Sequence, residues 1–196
     1  MKKIILASNS PRRKEILTIG KVNFEIKTSE CEEIYSLHYD EQIVRKNSLL
    51  KASAVITDDM EESLIIGADT IVILDSVCLV KPQNVIEALF MLKKLSNKTH
   101  MVVTSHTIIN SKTKQEQTEI SKSYVTFKKL SCFEIIKYLI NKKPFDKAGS
   151  YGIQDFITID NYKNPPKNSF ISKIEGSYYN VVGFDLDLVL NMLQNF

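Results

Sequence analysis

Apolar and polar positions along the chain predict short strands and helices in alternation. Apolar runs of strand length cover residues 3–7, 22–27, 64–74, 77–80, 101–109 and 123–130. Apolar residues at helical spacing cover residues 11–19, 41–57, 83–95, 131–140 and 185–193. Since helices separate most of the strands while hairpins join others, the pattern predicts an α/β fold with a mixed β-sheet flanked by helices.

Turn signals define the connections between these elements. The polar residues 75–76 favour a tight turn between two antiparallel strands. The polar segment 110–119 is expected to be a loop that joins the next two strands. A final hairpin is expected to pair residues 170–174 with 178–182, because Gly176 marks a turn between them.

The composition is typical of a globular chain of one domain. The 196 residues include 26 Lys and Arg against 23 Asp and Glu, a net charge of +3, and 43% are hydrophobic. The longest stretch without a charged residue, 99–111, is shorter than the roughly 20 apolar residues of a membrane-spanning helix. We therefore expect one domain over residues 1–196, with no membrane span and, given the small net charge, no nucleic-acid partner.

The N-terminus and the cysteines both favour a cytoplasmic location. The apolar run at residues 4–7 is too short for a secretory signal, and it reads as a buried strand. Cys31, Cys78 and Cys132 are odd in number and far apart, and no pair has the spacing of a metal site. We expect them to be reduced thiols.

The first strand and the first helix are joined by Ser8-Asn9-Ser10-Pro11-Arg12-Arg13. Ser10 is the expected N-cap, with Pro11 in the first helical position. Free N–H groups at a helix N-terminus attract anions, and the two arginines add forked donors that suit phosphate oxygens. Cations oppose the dipole at this end, so a purely structural helix would not favour them there. The segment indicates a phosphate site, without the glycine-rich element of a Walker loop.

The longest apolar strand contains an aspartate, in the sequence Gly67-Ala68-Asp69-Thr70. A carboxylate among apolar neighbours is costly unless it is paired or binds a metal. Gly67 leaves room for another group to approach. The alternative is a carboxylate that caps a turn at a strand end, which the apolar residues on both sides disfavour. Asp69 is therefore a candidate functional residue.

Five further residues are less distinctive and also read as ordinary surface positions. Lys51 lies on a helix and Lys81 precedes a proline. Glu32 and Glu33 lie in an acidic loop, where one of them could join a metal site. Gln154 ends a glycine-containing loop, and its amide could pair with a base edge.

The histidines do not suggest a catalytic or metal site. His38, His100 and His106 form no ligand pair at helical spacing, and no Ser-His-Asp or Cys-His arrangement is apparent. In an enzyme, carboxylates would then supply the base and hold any metal, and oxygen ligands favour Mg²⁺ or Mn²⁺. Together with arginines and lysines, this set suits hydrolysis of a phosphoanhydride.

Five motifs in a fixed order make the chain resemble the Maf family of nucleoside triphosphate pyrophosphatases, also called septum formation inhibitors. They span nearly the whole chain and comprise Leu6 to Arg13, Gly67 to Val72, Lys81-Pro82, Asp146 to Gln154 and Gly176 to Gly183. The resemblance implies an elongated mixed sheet with helices, in two lobes around a cleft, as in Maf and ITPase-like proteins. It also implies hydrolysis of a nucleoside triphosphate to the monophosphate and pyrophosphate, a divalent cation and a homodimer.

The same resemblance implies roles for individual residues. Asp69 would accept the proton of the attacking water, and Glu33, or alternatively Glu32, would help Asp69 to hold the metal. The residues that would bind the triphosphate are Arg12, Arg13, Lys51 and Lys81, with Ser8 supporting their loop.

The substrate implied by the resemblance is a pyrimidine nucleotide. The branch of the family that acts on dTTP and UTP carries the counterparts of Arg12, Thr70 and Gln154. The branch that acts on 7-methyl-GTP has Trp after the Ser-Pro and Glu in place of Gln154, whereas this chain has no Trp. Modified pyrimidine triphosphates are further candidates, with removal of unwanted nucleotides as the biological role. Asp155 stands where the family usually has glycine.

Other functions stay open on the sequence alone. A preference for 7-methyl-GTP or another unusual nucleotide would keep the same chemistry. A non-catalytic nucleotide-binding regulator of septum formation would bind without hydrolysis. Nucleic-acid binding through the basic N-terminus is disfavoured by the small net charge and by the absence of interleaved aromatic residues there.

Overall fold

The computed structural model describes residues 2–28 and 31–196, and a mixed sheet of seven strands forms the centre of this part of the chain. The strands are β1 (Lys3–Leu6), β2 (Glu25–Ile26), β3 (Ser63–Leu74), β4 (Val77–Leu79), β5 (Thr99–Asn110), β6 (Glu116–Phe127) and β7 (Ile171–Glu175). Their order is β2-β1-β3-β5-β6-β7, and β4 pairs with β3. β1 is parallel to both neighbours and the other pairs are antiparallel. The predicted α/β class with a mixed sheet is confirmed.

Helices cover the sheet on both faces. They are α1 (Pro11–Ile19), α2 (Glu41–Ser53), α3 (Val85–Leu95), α4 (Cys132–Lys142), α5 (Tyr178–Val182) and α6 (Leu186–Leu193). Ser10 is the N-cap of α1, as expected, although its side chain makes no capping hydrogen bond. Ser131 and Glu134 form a complete capping box at α4. Among the described residues, no helix is both long and apolar enough to cross a membrane.

The alternation of side chains along β3 creates two hydrophobic cores on one face of the sheet. Leu64 and Ile66 pack in a core with α1 and α6. Val72 and Leu74, further along the same face, pack in a second core with α3 and α4. Ala68 still belongs to the first core, so residues 69–71 lie between the two cores.

The predicted final hairpin is wrong, because residues 178–182 form helix α5. The Ser177 side chain accepts a hydrogen bond from the Asn180 N–H and caps this helix, and Gly183 ends it with a φ of 115°. A short apolar run fits either a strand or one buried helical turn, so the run alone did not distinguish them. β7 pairs with β6 instead.

Several boundaries also differ from those predicted. β2 has only two residues, because Val22 and Phe24 pack towards the core around α6 instead of extending the strand. β6 begins at Glu116, so much of the polar segment predicted as a loop is strand. Its polar residues pair across to β5, as in the 2.8 Å hydrogen bond between the Thr107 and Thr118 hydroxyls. α2 ends at Ser53 rather than at residue 57, and α3 begins at residue 85 rather than 83.

Candidate active site

The candidate site lies where β3 exchanges one neighbouring strand for another. β1 pairs with β3 up to Ile66, and β4 pairs with it from Val72 onward. Between these points, residues 67–71 are paired on the β5 side alone, as far as the structure describes the chain. A cavity of about 1000 Å³ opens beside this gap. Its lining includes nine of the residues singled out from the sequence, namely Ser8, Arg12, Arg13, Glu33, Lys51, Asp69, Thr70, Lys81 and Gln154, while Glu32, the alternative to Glu33, is not part of it.

Asp69 lies in the gap on the face of β3 that α2 covers, and only 4% of the residue is exposed. Its Oδ1 accepts a hydrogen bond from Lys51 Nζ at 2.6 Å, and its Oδ2 accepts one from Asn47 Nδ2 at 3.3 Å. Both donors lie on α2. The carboxylate is thus paired, as its position among apolar residues required.

Gly67 allows α2 to lie this close to β3. A Cβ at Gly67 would lie 2.3 Å from the Ser48 carbonyl oxygen and 2.7 Å from the Ala52 nitrogen, both in the backbone of α2. Since Gly67 and Asp69 share one face of the strand, the glycine brings the helix within hydrogen-bond reach of the aspartate.

Lys51 connects the two carboxylates that the sequence nominated. Its Nζ lies 2.6 Å from Asp69 Oδ1 and 3.0 Å from Glu33 Oε1. The Lys51 side chain is 13% exposed, so the ammonium group is largely shielded from water. Glu33 also accepts a long hydrogen bond of 3.4 Å from the Tyr35 hydroxyl. One cation therefore holds both carboxylates at the same point of the cleft.

The donor set at this point suits a hard divalent cation. Asp69 and Glu33 each place an oxygen next to Lys51 Nζ. Elsewhere in the described chain, no group of three or more His, Cys, Asp or Glu residues comes together. Mg²⁺ is commonly held by one or two carboxylates and completes its shell with water and substrate phosphates. The two carboxylates therefore fit Mg²⁺ or Mn²⁺ and offer nothing that favours zinc.

Arg13 fills the gap in the sheet edge. Its NH1 donates to the Ala68 carbonyl at 2.8 Å, which has no strand partner on this side, and to the Ser8 hydroxyl at 3.2 Å. Its Nε donates to the Gly183 carbonyl and its NH2 to the Thr70 hydroxyl. Burial lowers the pKa of Arg13, yet an arginine remains charged in any protein. Four of its five N–H donors thus bind the protein itself.

Arg12 takes part in a separate cluster of charges at the cavity wall. Its NH1 donates to Asp146 at 2.8 Å, and Lys147 Nζ lies 2.7 Å from the other oxygen of the same carboxylate. Partial burial acts to raise the pKa of Asp146, but the hydrogen bonds from Lys147 and Arg12 outweigh it and lower the pKa to about 2. The carboxylate is charged at neutral pH, and a phosphate would compete with it for Arg12.

Lys81 and Gln154 are exposed and available to a ligand. Lys81 lies in the connection after β4, and Gln154 lies in a 3₁₀ turn, Ile153–Asp155, which we call the Gln154 turn. The side chains of both residues make no hydrogen bond or ion pair with the described residues. The Gln154 turn itself is held by Asp155, which accepts a hydrogen bond from the Tyr138 hydroxyl at 2.7 Å. The departure from the family pattern at Asp155 therefore anchors this turn to α4.

Two polar residues of the cavity wall, Asn47 and Asp146, received no role from the sequence. Asn47 occupies the buried stripe of α2 together with Val44, Ser48 and Ala52, a position where a polar residue is unusual. That signal was available in the sequence. Asp146 was only the first residue of a motif, because one of its cations, Lys147, is its neighbour in the chain but the other, Arg12, is brought to it by the fold.

Two of the three histidines are packing residues. His100 and His106 are 2% and 0% exposed, and neither lines the cavity. The His100 Nε2 lies 2.7 Å from the Tyr151 hydroxyl, and the His106 Nε2 accepts a hydrogen bond from the Asp185 N–H. Burial lowers the pKa of each to about 3, so both rings are neutral.

The cleft combines two carboxylates with cations that suit phosphate, an arrangement typical of enzymes that hydrolyse phosphoanhydrides. The Maf-like protein family matches residues 3–196. The chain is 44% identical over 199 residues to a dTTP/UTP pyrophosphatase of Bacillus cytotoxicus, covering 100% of this chain and 96% of the relative. It is 41% identical over 192 residues to a dTTP/UTP pyrophosphatase of Thermotoga maritima, covering 97% and 88%. The chain belongs to the Maf family.

Proposed function

We propose that this protein is a nucleoside triphosphate pyrophosphatase that converts dTTP and UTP to the monophosphate and pyrophosphate. The observation that carries the proposal is the largely shielded Lys51, which joins Asp69 and Glu33 within a cleft lined by further cations. The names and near full-length similarity of the Bacillus and Thermotoga relatives support the substrate. A single domain over residues 1–196 would carry this activity.

The cations of the cleft would bind the triphosphate. Lys81 is free to reach a phosphate oxygen, and Arg12 would exchange its contact with Asp146 for one with the nucleotide. Arg13 would add its one uncommitted donor while its other donors keep the loop around Ser8 in place. Such fixed positive charges stabilise the negative charge that develops on departing pyrophosphate.

Asp69 would act as the proton acceptor. A water oxygen attacks the α-phosphorus, the bond from that phosphorus to the bridging oxygen breaks, and the proton of the water passes to Asp69. Asp69 and Glu33 would also hold Mg²⁺ or Mn²⁺, which supplies charge neutralisation on the phosphates. Lys51 is then free to move from the carboxylates to a phosphate oxygen.

Gln154 would read the base. A neutral amide offers both a donor group and an acceptor group, which can pair with the edge of a pyrimidine. Thr70 would act less directly, because its hydroxyl is held by Arg13 and by Thr104. The anchored Gln154 turn supports this assignment, since a base-reading group needs a fixed backbone.

Pyrophosphate release from a panel of nucleotides tests the proposal. The panel contains dTTP, UTP, CTP, 7-methyl-GTP, ITP and ATP, each with and without Mg²⁺ or Mn²⁺. Metal-dependent turnover of dTTP and UTP above the others is the expected result. A preference for 7-methyl-GTP or ITP would contradict the substrate, and nucleotide binding without any turnover would favour a regulator over an enzyme.

Changing Asp69 to Asn tests the proton acceptor. We expect kcat for dTTP to fall by about 10²–10⁴-fold, the range of general-base contributions. The exposed Asp160, changed to Asn, is the matched control and should keep the activity. Circular dichroism and thermal unfolding establish that both variants are folded. A folded Asp69→Asn protein with full activity would exclude the proposed base.

The proposal also includes a cytoplasmic location and assembly of the protein into a homodimer. Sedimentation equilibrium of the purified protein measures its mass in solution, and a mass of two chains is expected. Cell fractionation followed by immunoblotting tests the location, and recovery in the membrane pellet would contradict it.

A further inference from the structure

Asn47 is a buried amide whose hydrogen bonds all lead to the candidate site. Only 4% of the residue is exposed. Its Oδ1 accepts from the Ile34 N–H at 2.9 Å, and its Nδ2 donates to the Ile34 carbonyl at 3.0 Å and to Asp69 Oδ2 at 3.3 Å. Both Nδ2 hydrogens and the amide oxygen are thus used, so the orientation of the side chain is fixed.

The two bonds to Ile34 hold the segment that carries Glu33. We call residues 31–35 the Glu33 segment. Within the described chain, the hydrogen bonds to Asn47 are the only ones that its backbone makes. The next residues are fixed differently, because the Leu37 carbonyl accepts from the Cys78 N–H and the Tyr39 N–H donates to the Ser76 carbonyl.

The third bond fixes Asp69 from the same side chain. Lys51, one helical turn further along α2, already contacts one oxygen of Asp69. Asn47 contacts the other oxygen, so the carboxylate cannot rotate about its terminal bond without losing a hydrogen bond. One amide therefore sets the position of Glu33, through its neighbour, and the orientation of Asp69.

We propose that Asn47 is a positioning residue that places the Glu33 and Asp69 carboxylates for divalent-metal binding. The inference rests on the proposed function in taking these two carboxylates as metal ligands. Asn47 itself does not touch the metal. Groups that orient ligating carboxylates typically contribute 10–100-fold to metal affinity or activity.

Two substitutions of Asn47 remove its hydrogen bonds in different ways. Asn47→Leu keeps a similar volume without polar atoms, and Asn47→Ser leaves a small polar group that cannot reach Ile34. The matched control is Ser48→Ala on the same turn of α2. Ser48 is fully buried, but its hydroxyl contacts Ser105 and Thr107 on β5 rather than the candidate site.

Mn²⁺ binding, measured by electron paramagnetic resonance with and without α,β-methylene-UTP, gives a readout that is independent of turnover. We expect both Asn47 variants to bind Mn²⁺ about 10–100-fold more weakly than the wild type, while Ser48→Ala binds it normally. The nucleotide KM should change little, because Arg12, Lys81 and Gln154 have no contact with Asn47, whereas kcat should fall. Thermal unfolding identifies any variant that is not folded.

The experiments distinguish a failure of the Asn47 proposal from a failure of the proposed function. Equal Mn²⁺ binding by the wild type and a folded Asn47 variant, or an equal loss in Ser48→Ala, overturns the role of Asn47 even when the wild type hydrolyses dTTP. No Mn²⁺ binding by the wild type under either condition also overturns it. Weaker Mn²⁺ binding by the Asn47 variants, with no turnover of any nucleotide by the wild type, upholds Asn47 and rejects the pyrophosphatase.

Discussion

At the scale of single residues, Gly67 determines how closely α2 packs against β3. It carries no catalytic group, yet the backbone of α2 occupies the space that a Cβ would need. Because Asn47 and Lys51 both lie on α2, the distance from α2 to β3 decides whether they reach Asp69. Gly67 therefore controls the geometry of the candidate site through the backbone alone.

We predict that Gly67→Ala lowers both stability and activity. The new methyl group meets backbone atoms that cannot rotate away, so we expect a loss of about 1–3 kcal/mol in the free energy of unfolding. The displaced helix should also lower kcat. Urea unfolding and pyrophosphate release measure the two effects.

Gly20→Ala is the matched control for this substitution. Its Cβ would approach a Leu186 methyl group at 2.7 Å, the flexible end of a side chain, and Gly20 has a helical φ of −68°. A smaller change in both measurements is expected. An effect as large as that of Gly67→Ala would show that close backbone approach is not the cause.

For single residues, the sequence predicted those features that depend on one strand or one turn alone. Asp69 stood out because a carboxylate interrupts an apolar run, and Gly67 because it removes a side chain beside it. The contact between Arg12 and Asp146 could not be predicted, because it joins residues 134 positions apart. The hydrogen bond between Arg13 and Thr70 could not be predicted either, because the two residues meet only through the gap that β1 and β4 leave beside β3.

At the scale of elements, α4 supports the Gln154 turn across the core. The buried Tyr138 of α4 accepts a hydrogen bond from the Gly152 N–H at 3.0 Å and donates one to Asp155 at 2.7 Å. Burial raises the pKa of Tyr138, so its hydroxyl stays protonated and remains a donor at any pH the protein would meet. The turn thus depends on one hydroxyl group from a helix.

We predict that Tyr138→Phe loosens the Gln154 turn. The Gly152 N–H loses its acceptor inside the protein, which costs about 1–3 kcal/mol of stability. If Gln154 reads the base, the ratio of kcat/KM for UTP to that for CTP should also decrease. Urea unfolding and initial-rate kinetics measure these two effects.

The half-exposed Tyr124, changed to Phe, provides the comparison. Its hydroxyl makes no hydrogen bond with the described residues, so stability and selectivity should be unchanged. A Tyr138→Phe protein with lowered stability but wild-type selectivity would contradict the prediction that anchoring of the Gln154 turn supports base recognition.

Most elements could be predicted from the sequence, and the failures have a common physical origin. Long amphipathic runs such as α4 and the strand around Asp69 specify their own conformation. The segment 178–182 does not, because its four apolar residues satisfy either a strand or a helix, and the Ser177 cap and Gly183 decide for the helix. The extra length of β6 came from pairing with β5, which overrides the polar character of its residues.

At the scale of the whole molecule, the buried histidines make stability depend on pH. The pKa of His100 and of His106 is about 3 in the folded protein, below the ordinary value of 6.5. Between these values the unfolded chain binds protons that the folded protein does not. Stability is therefore complete above about pH 6.5 and is lost as the pH falls below it.

We predict a steep loss of stability between pH 6 and pH 5. Each histidine contributes a slope of up to about 1.4 kcal/mol per pH unit once its unfolded form is mostly protonated. His100→Gln should remove one of the two contributions, and measurements at pH 7.5–8.5 provide the reference in which both rings are neutral. Urea unfolding across the range tests this. Parallel slopes for the wild type and His100→Gln below pH 6 would show that burial of this ring is not responsible.

The placement of the candidate residues has a consequence for the kinetics of turnover. Asp69 belongs to the central strand β3 and is paired with β5 opposite Ser105, whereas Glu33 and Gln154 lie in connecting segments. Nucleotide entry and pyrophosphate departure can therefore proceed by displacement of the Glu33 segment, whose backbone is held within the described chain by Asn47 alone, while the strand that holds Asp69 keeps its hydrogen bonds. We therefore expect the steps of turnover that depend on motion to involve the Glu33 segment rather than β3.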